Sequence, residues 1–255
     1  MPTPALIGRT LHRVGRCEST NDLAWEAARA GEPEGFAVLA EEQTGGRGRH
    51  GRRWISPPGK GILLSVLLRP PFDPVRSPLV TAVGGLAVSD VIAHPSGPDA
   101  RILWPNDVVV GDRKIAGVLV EMKNLPGQGY AYVLGIGINV NQTSEDFPPD
   151  LEVPAVSLAM ARGRLCDRGA LLTDLFRAID ARYREVLDGR DDTLAADWRE
   201  RSYVLGRRVR IRADTMNWLG RVEDVHPIDG IILRLENGSL KGFRGEHVES
   251  LRALA

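Results

Sequence analysis

Between residues 36 and 140 the chain is cut into short apolar segments separated by glycine, proline and aspartate. Apart from residues 79–93 they are short, and several are rich in valine, isoleucine and leucine, so they read as strands. They fall at 36–42, 61–69, 101–104, 107–110, 114–122 and 130–140, with Gly111-Asp112 marking a hairpin into the fifth. The 61–69 run is apolar without alternation, as expected of a strand buried on both faces. Helical patterns surround this block. Residues 18–30 read as a short helix with Ser19 and Asp22 at capping-box spacing and Gly31 at its stop. Residues 79–93 read as a helix with small residues on its packed face. Residues 168–187 are amphipathic, with Leu171, Leu172, Leu175, Ile179 and Val186 near helical spacing, and a further helix is expected at 193–201. The sum is an α+β fold with a mixed sheet.

The texture changes after Tyr203. Residues 207–212 alternate, with Val209 and Ile211 on one side and arginines on the other, and Asp229-Gly230 and Asn237-Gly238 are hairpin-turn signals. Short strands at this spacing predict a small β-barrel of about fifty residues. A boundary near Ser202 divides the chain into domains of residues 1–202 and 203–255.

Composition excludes several classes. Lys+Arg and Asp+Glu both total 33, so the formal net charge is zero, and aromatic residues are only 5%. A general nucleic-acid binder would carry a basic excess and stacking side chains, so no DNA partner is expected. Cys17 and Cys166 are far apart and form no C-x-x-C pair. Residues 1–9 lack the basic-then-apolar pattern of a signal peptide, and the longest apolar stretch, 78–93, is short and contains Asp90. A cytoplasmic protein without a membrane partner is expected. The five histidines show no metal-ligand spacing.

Four segments carry chemistry. Residues 42–54 read Glu-Gln-Thr-Gly-Gly-Arg-Gly-Arg-His-Gly-Arg-Arg-Trp. Glycines let the backbone approach a ligand and arginines offer planar donor forks, so an anion clamp and a solvated Arg/Gly loop are about equally favoured. The loop is not a Walker A motif, because Gly59-Lys60 is followed by Gly61 where Ser or Thr is needed. The second segment is Trp104-Pro105-Asn106-Asp107 followed by Arg113-Lys114-Ile115-Ala116-Gly117-Val118-Leu119-Val120-Glu121. Lys114 on an apolar strand either points to solvent or needs an anionic partner. The third is Gly135-Ile-Gly-Ile-Asn139, whose glycines serve close approach or tight sheet packing. The fourth is Glu18-Ser19-Thr20-Asn21-Asp22, where a helix cap is the better reading on chemistry alone, although a helix start also offers free N–H groups.

Taken together and in order, these segments resemble biotin–protein ligases, and the resemblance covers essentially the whole chain. The set is Ser-Thr-Asn, Glu-x-Gln-x-x-Gly-Arg-Gly-Arg-x-Gly-Arg-x-Trp, Trp-Pro-Asn-Asp, Arg-Lys-x-x-Gly-x-Leu-x-Glu and Gly-x-Gly-x-Asn. The resemblance implies a catalytic domain similar to class II aminoacyl-tRNA synthetases and biotin–lipoate ligases, with an SH3-like C-terminal domain. No segment before Ser19 is long enough for the winged helix-turn-helix of some members, so the resemblance is to the monofunctional class. It implies ATP with Mg²⁺, biotin as substrate, a biotin carboxyl carrier domain as acceptor, and a monomer or homodimer.

The same resemblance implies site residues. Ser19, Thr20, Asn21 and Gln43 would contact biotin. Arg47, Gly48 and Arg49 would form a loop over carboxylate and phosphate, with Gly46 allowing the approach; Trp54, Asn106 and Gly117 complete the set. Lys114 would sit at the reacting carboxylate and α-phosphate, with Arg49 beside it. Asp107 would take the acceptor lysine's proton, or else cap its turn. Asn139 would bind phosphate or magnesium, or else tie down its strand. No resident metal site is expected. A loop at 141–150 would cover adenine, with Phe147 stacking there; Arg252 would reach the nucleotide or simply lie at the surface. One departure stands out: the family commonly has lysine before Trp-Pro-Asn-Asp, and here it is Leu103, which implies a raised KM for ATP. The rival readings are lipoate or octanoate transfer on the same fold and a non-catalytic nucleic-acid-binding module.

Overall fold

A computed structural model describes residues 5–94 and 97–254. The first four residues of the N-terminal segment read above lie outside the described residues. The chain runs β1 (Leu11–Cys17), α1 (Thr20–Arg29), β2 (Ala37–Gln43), β3 (Gly61–Leu68), α2 (Pro78–Ala93), β4 (Ala100–Leu103), β5 (Asp107–Val110), β6 (Arg113–Leu125), β7 (Gly129–Asn139), α3 (Leu158–Arg162), α4 (Arg168–Leu187), α5 (Asp191–Glu200), β8 (Arg208–Ala213), β9 (Met216–His226), β10 (Gly230–Leu235), β11 (Leu240–Phe243) and β12 (Val248–Ala253).

The first seven strands form one sheet in the order β1-β2-β3-β7-β6-β5-β4. Only the β1–β2 pair is parallel, so the sheet is mixed, as expected. Helix α1 covers one face, where Trp25 and Ala28 pack with Val38, Leu67 and Val133. Helices α2 and α4 cover the other, where Leu86 and Leu175 pack with Leu64, Val66 and Ile136. Strand β3 is therefore buried at every residue, and its lack of alternation has that physical cause.

Residues 74–93 are long and apolar enough to cross a membrane by composition, which corrects the reading of a stretch confined to 78–93; 67% of that window is buried inside the fold. Asp90 is tolerated in α2 because Arg182 of α4 donates to it at 2.9 Å and Arg201 also pairs with it. Arg182 reaches Asp197 of α5 as well, so one half-buried guanidinium joins three helices.

Two elements gave no sequence signal. Strand β1 is a half-exposed edge strand whose composition is largely basic, and α3 is a five-residue helix. The expected capping box at α1 is not formed. Ser19 Oγ accepts from the Asn21 amide instead, and Asp22 points to Arg47.

The last five strands form an antiparallel sheet in the order β11-β10-β9-β8-β12. Alternation in β8 buries Val209, Ile211 and Ala213 and exposes the arginines. The β8–β9 turn is made by Asp214 and Thr215, both at positive φ; without glycine it was invisible in the sequence. The two sheets are welded together. Ile102 N donates to Arg201 O and Tyr203 N to Ile102 O, each at 2.8 Å, and Trp104, Val204, Val222 and Leu251 belong to one continuous apolar cluster with the main core.

Asn139 belongs to this framework. Its amide donates to Val156 O at 3.2 Å and Lys114 O at 3.4 Å, and Gln142 donates to its carbonyl oxygen. The tie-down reading is the one the structure favours. Asn139→Ala should lower stability by about 2 kcal/mol, because buried carbonyls lose their donor; thermal unfolding checks this.

Candidate active site

Beyond the start of α1, the face of the main sheet that carries α1 and the edge of the C-terminal sheet border a cavity of about 650 Å³. Of the residues singled out from the sequence, Ser19, Thr20, Asn21, Gln43, Arg47, Gly48, Arg49, Trp54, Asn106, Asp107, Lys114 and Gly117 all line it. Gly46 and Asn139 do not. A Cβ on Gly46 would lie 2.5 Å from Trp54 O, so that glycine serves the loop's own packing rather than ligand approach.

One end of the cavity is a preorganised polar network at the start of α1. Ser19, Thr20 and Asn21 are buried. Gln43 at the end of β2 accepts from Thr20 N at 2.7 Å and from Thr20 Oγ1 at 3.0 Å. Ser65 Oγ donates to Asn21 Oδ1 at 2.6 Å and lies 2.7 Å from Thr20 Oγ1. The sequence reading missed Ser65. Its signal was a lone hydroxyl in the otherwise apolar 61–68 run. Fixed hydrogen bonds of this kind hold side-chain orientations before any ligand arrives.

The floor is built on glycine. A Cβ at Gly135 would stand 2.5 Å from Asn21 Oδ1, and one at Gly137 would stand 2.5 Å from the Trp54 ring. These two β7 positions let Asn21 and Trp54 sit directly on the sheet.

The Gly/Arg segment is folded, not structureless. Gly48 N donates to Arg52 O at 2.7 Å and Trp54 N to Gly46 O at 2.9 Å, with His50 turning at φ 54°. Three of its four arginines bind protein groups through their side chains. Arg47 forks onto Asp22 at 2.6 and 2.9 Å and reaches Glu121 of β6 at 3.0 Å. Arg49 donates to Gly245 O, to Val248 O at 3.2 Å and to Asn106 Oδ1 at 3.4 Å. His50 Nε2 lies 3.0 Å from Val248 O, and Arg52 donates to Glu249 O at 3.0 Å. The segment is thus pinned to α1 and β6 at one end and to β12 at the other. The expectation that Arg47 covers a carboxylate or phosphate is corrected to this extent: its guanidinium is held by two carboxylates.

Opposite the polar network stands Lys114. Its Nζ lies 2.8 Å from Asp107 Oδ2 and 5.5 Å from the Trp54 ring centroid. A register shift between β5 and β6 places Lys114 against Val109 and Ala116 against Val108. That bulge breaks the two-residue period, so Lys114 and Gly117 both face the cavity while Ile115 and Ala116 are buried in the core. The solvent-edge reading of Lys114 is set aside. The second Asp107 oxygen, Oδ1, is buried and has no hydrogen-bond partner.

The remaining expectations divide. Leu103 lines the cavity, as do Pro148, Asp150, Leu151, Glu152 and Val153 from the second loop, and Arg252. Phe147 does not, which corrects its stacking role.

The charge pattern follows from these contacts. The hydrogen bond from Arg47 holds the Asp22 carboxyl below its ordinary value of 3.8. Burial pushes Glu121 up, but hydrogen bonds from Arg47 and Trp25 outweigh it and leave Glu121 below its ordinary 4.5. Arg47 is raised above its ordinary value chiefly by Asp22, and Arg49 is lowered by burial.

The biotin/lipoate A/B protein ligase family matches residues 14–139. The bifunctional ligase/repressor BirA of Bacillus spizizenii is 35% identical over 94% of this chain and 74% of its own length. The biotin–[acetyl-CoA-carboxylase] ligase of Mycobacterium tuberculosis is 38% identical over 80% of this chain and 74% of its own length. Among solved structures, the biotin protein ligase of Aquifex aeolicus in complex with biotin and ATP superposes with a TM-score of 0.82 at 26% identity, covering 96% of this chain and all of that one. The chain belongs to the biotin/lipoate protein ligase family. The Mycobacterium tuberculosis relative and the solved structure bear the names of biotin ligases, and the chain spans about three quarters of the length of each of the two relatives.

The Arg47 clamp generates a pH prediction. Both carboxyls have lowered values, so their contribution to stability is present above about pH 4.5 and is lost as pH falls through the lowered values. The groups are partly exposed, so the contribution is on the order of 1 kcal/mol. Urea unfolding between pH 3 and 6 should show a steeper acid loss in the wild type than in Arg47→Met.

Proposed function

We propose that this chain joins biotin to a lysine of a biotin carboxyl carrier domain, using ATP. The single observation that carries the reading is the Lys114–Asp107 pair facing a fixed polar network across one cavity. That network supplies acceptors and donors from Thr20, Asn21 and Gln43 suited to a neutral polar ring, while the lysine end suits two anions.

The first half-reaction brings a carboxylate to the α-phosphate of ATP. A carboxylate oxygen forms a bond to phosphorus, the bond to the β-phosphate bridging oxygen breaks, and pyrophosphate leaves. Lys114 Nζ offsets the repulsion between the two anions and stays charged throughout. Arg49 adds a second cation whose charge is already partly desolvated. In the second half-reaction the carrier amine attacks the carbonyl carbon and AMP leaves. With an ordinary pKa near 10.4, only about one lysine in a thousand is neutral near pH 7.4. Asp107, which lines the cavity beside Lys114, orients that amine and receives its proton. The Trp54 ring, seated on the glycine floor, and the folded Gly/Arg segment exclude water from the mixed anhydride.

Among the described residues no group of three His, Cys, Asp or Glu side chains could hold a metal ion. Magnesium would enter with ATP as part of the substrate. Leu103 leaves the nucleotide side with one cation fewer than the family pattern. A reducing cytoplasm fits the two free cysteines, Cys17 and Cys166.

Biotin-dependent ATP–pyrophosphate exchange tests the reading. A charge-assisted hydrogen bond contributes roughly 1.5–3 kcal/mol, so Lys114→Ala should lower exchange at least tens-fold. Exchange with lipoate and not biotin would keep the chemistry and move the substrate. No exchange with either acid would overturn the proposal.

A further inference from the structure

Glu152 is an exposed carboxylate with an unusual position. Its Oε2 lies 2.9 Å from Arg52 Nη2 of the Gly/Arg segment. Its Oε1 lies 2.9 Å from Arg252 Nη2 of β12. Each partner is one hundred residues away in sequence, and the three side chains come from the three separate segments that rim the cavity. Arg52 also donates to Glu249 O at 3.0 Å, and the Glu249 carboxylate holds Arg212 of β8 at 2.8 Å.

The sign of the charges matters more than the number of contacts. Arg52 and Arg252 converge on one carboxylate. Without it they face each other as like charges, and the segment that carries Glu152 loses its only ion pairs to either neighbour among the described residues. We propose that Glu152 is a positioning residue, an electrostatic latch that holds the Gly/Arg segment and the 145–153 segment shut against the C-terminal sheet and so sets the enzyme's hold on the nucleotide. The nucleotide part of this inference rests on the function proposed above; the latch itself does not. All three side chains are 41–53% exposed, so each contact is weak enough to open when ligand enters or product leaves. A fully buried triad would not release.

The test uses the full chain and the variants Glu152→Gln, Arg252→Gln and their double. Trypsin cleaves after Arg49, Arg52 and Arg53, so nicking of the loop reports its opening. Glu152→Gln should raise the nicking rate about tenfold at those three sites, with a melting temperature close to wild type, and the double variant should be no faster than Glu152→Gln alone. Glu236→Gln breaks the Arg208 pair elsewhere on the same sheet and should leave loop nicking unchanged. In pyrophosphate exchange, Glu152→Gln should raise the KM for ATP several-fold while kcat falls less than twofold. Unchanged nicking, or nicking raised throughout the chain with a lowered melting temperature, would overturn the latch. An unchanged KM in an active enzyme would overturn its role toward the nucleotide. An inactive wild type would count against the proposed function and leave the nicking result to decide the latch.

Discussion

An ammonium group on a core strand must have an anionic partner, and that requirement organises this molecule. Lys114 stands on β6 next to the buried Ile115, and a bulge turns it into the cavity. Asp107, on the neighbouring strand, meets it at 2.8 Å. The backbone on both sides is fixed, since Lys114 N donates to Pro154 O and Val156 N donates to Lys114 O. Asn139 reinforces the same corner. The reactive pair is therefore held by strands and by a buried amide network, not by a loop. Such rigidity is what electrostatic stabilisation of a charged transition state needs.

The Gly/Arg segment has the opposite physics. It is tied by side chains rather than by a sheet, and its ties run to three places: Asp22 and Glu121 on α1 and β6, Val248 and Glu249 on the C-terminal sheet, and Glu152 on the 145–153 segment. Half-exposed ion pairs and carbonyl contacts give it a preferred closed position at low cost to reopening. A catalyst that must admit ATP, shield a hydrolysable anhydride and then expose it to a carrier lysine needs a roof with that property. The C-terminal sheet thereby has a mechanical role, because β12 supplies much of the surface on which the roof closes.

Much of this was legible in the sequence, and the boundary of legibility is physical. Strand β3, most of β2 and the middle of β7 announced themselves because both faces of the sheet are covered there, so their residues are apolar; β4 to β6 were legible from short apolar runs and the Gly111-Asp112 turn. Strand β1 did not, because an edge strand with arginines at every third position has no apolar period. The motif residues were legible as a set, and the fold gathers most of them around one cavity. Their individual partners were not. Nothing in the order of residues says that Arg47 closes on Asp22 instead of facing ligand, that Asn139 turns into the sheet, or that Phe147 misses the cavity. Ser65, Glu121 and Glu152 acquire their roles from a neighbour 44 to 100 residues away by chain and a few ångströms away in space. Long-range pairing of that kind is set by topology, which a local pattern does not record.

The central claim is that this cavity makes and holds an acyl-adenylate. The most direct measurement is to incubate the chain with biotin and MgATP without any carrier, remove free ligand, denature, and weigh what is released by mass spectrometry. The account predicts biotinyl-5′-AMP at close to one molecule per chain. Release of intact ATP and biotin, or of no ligand, would contradict it.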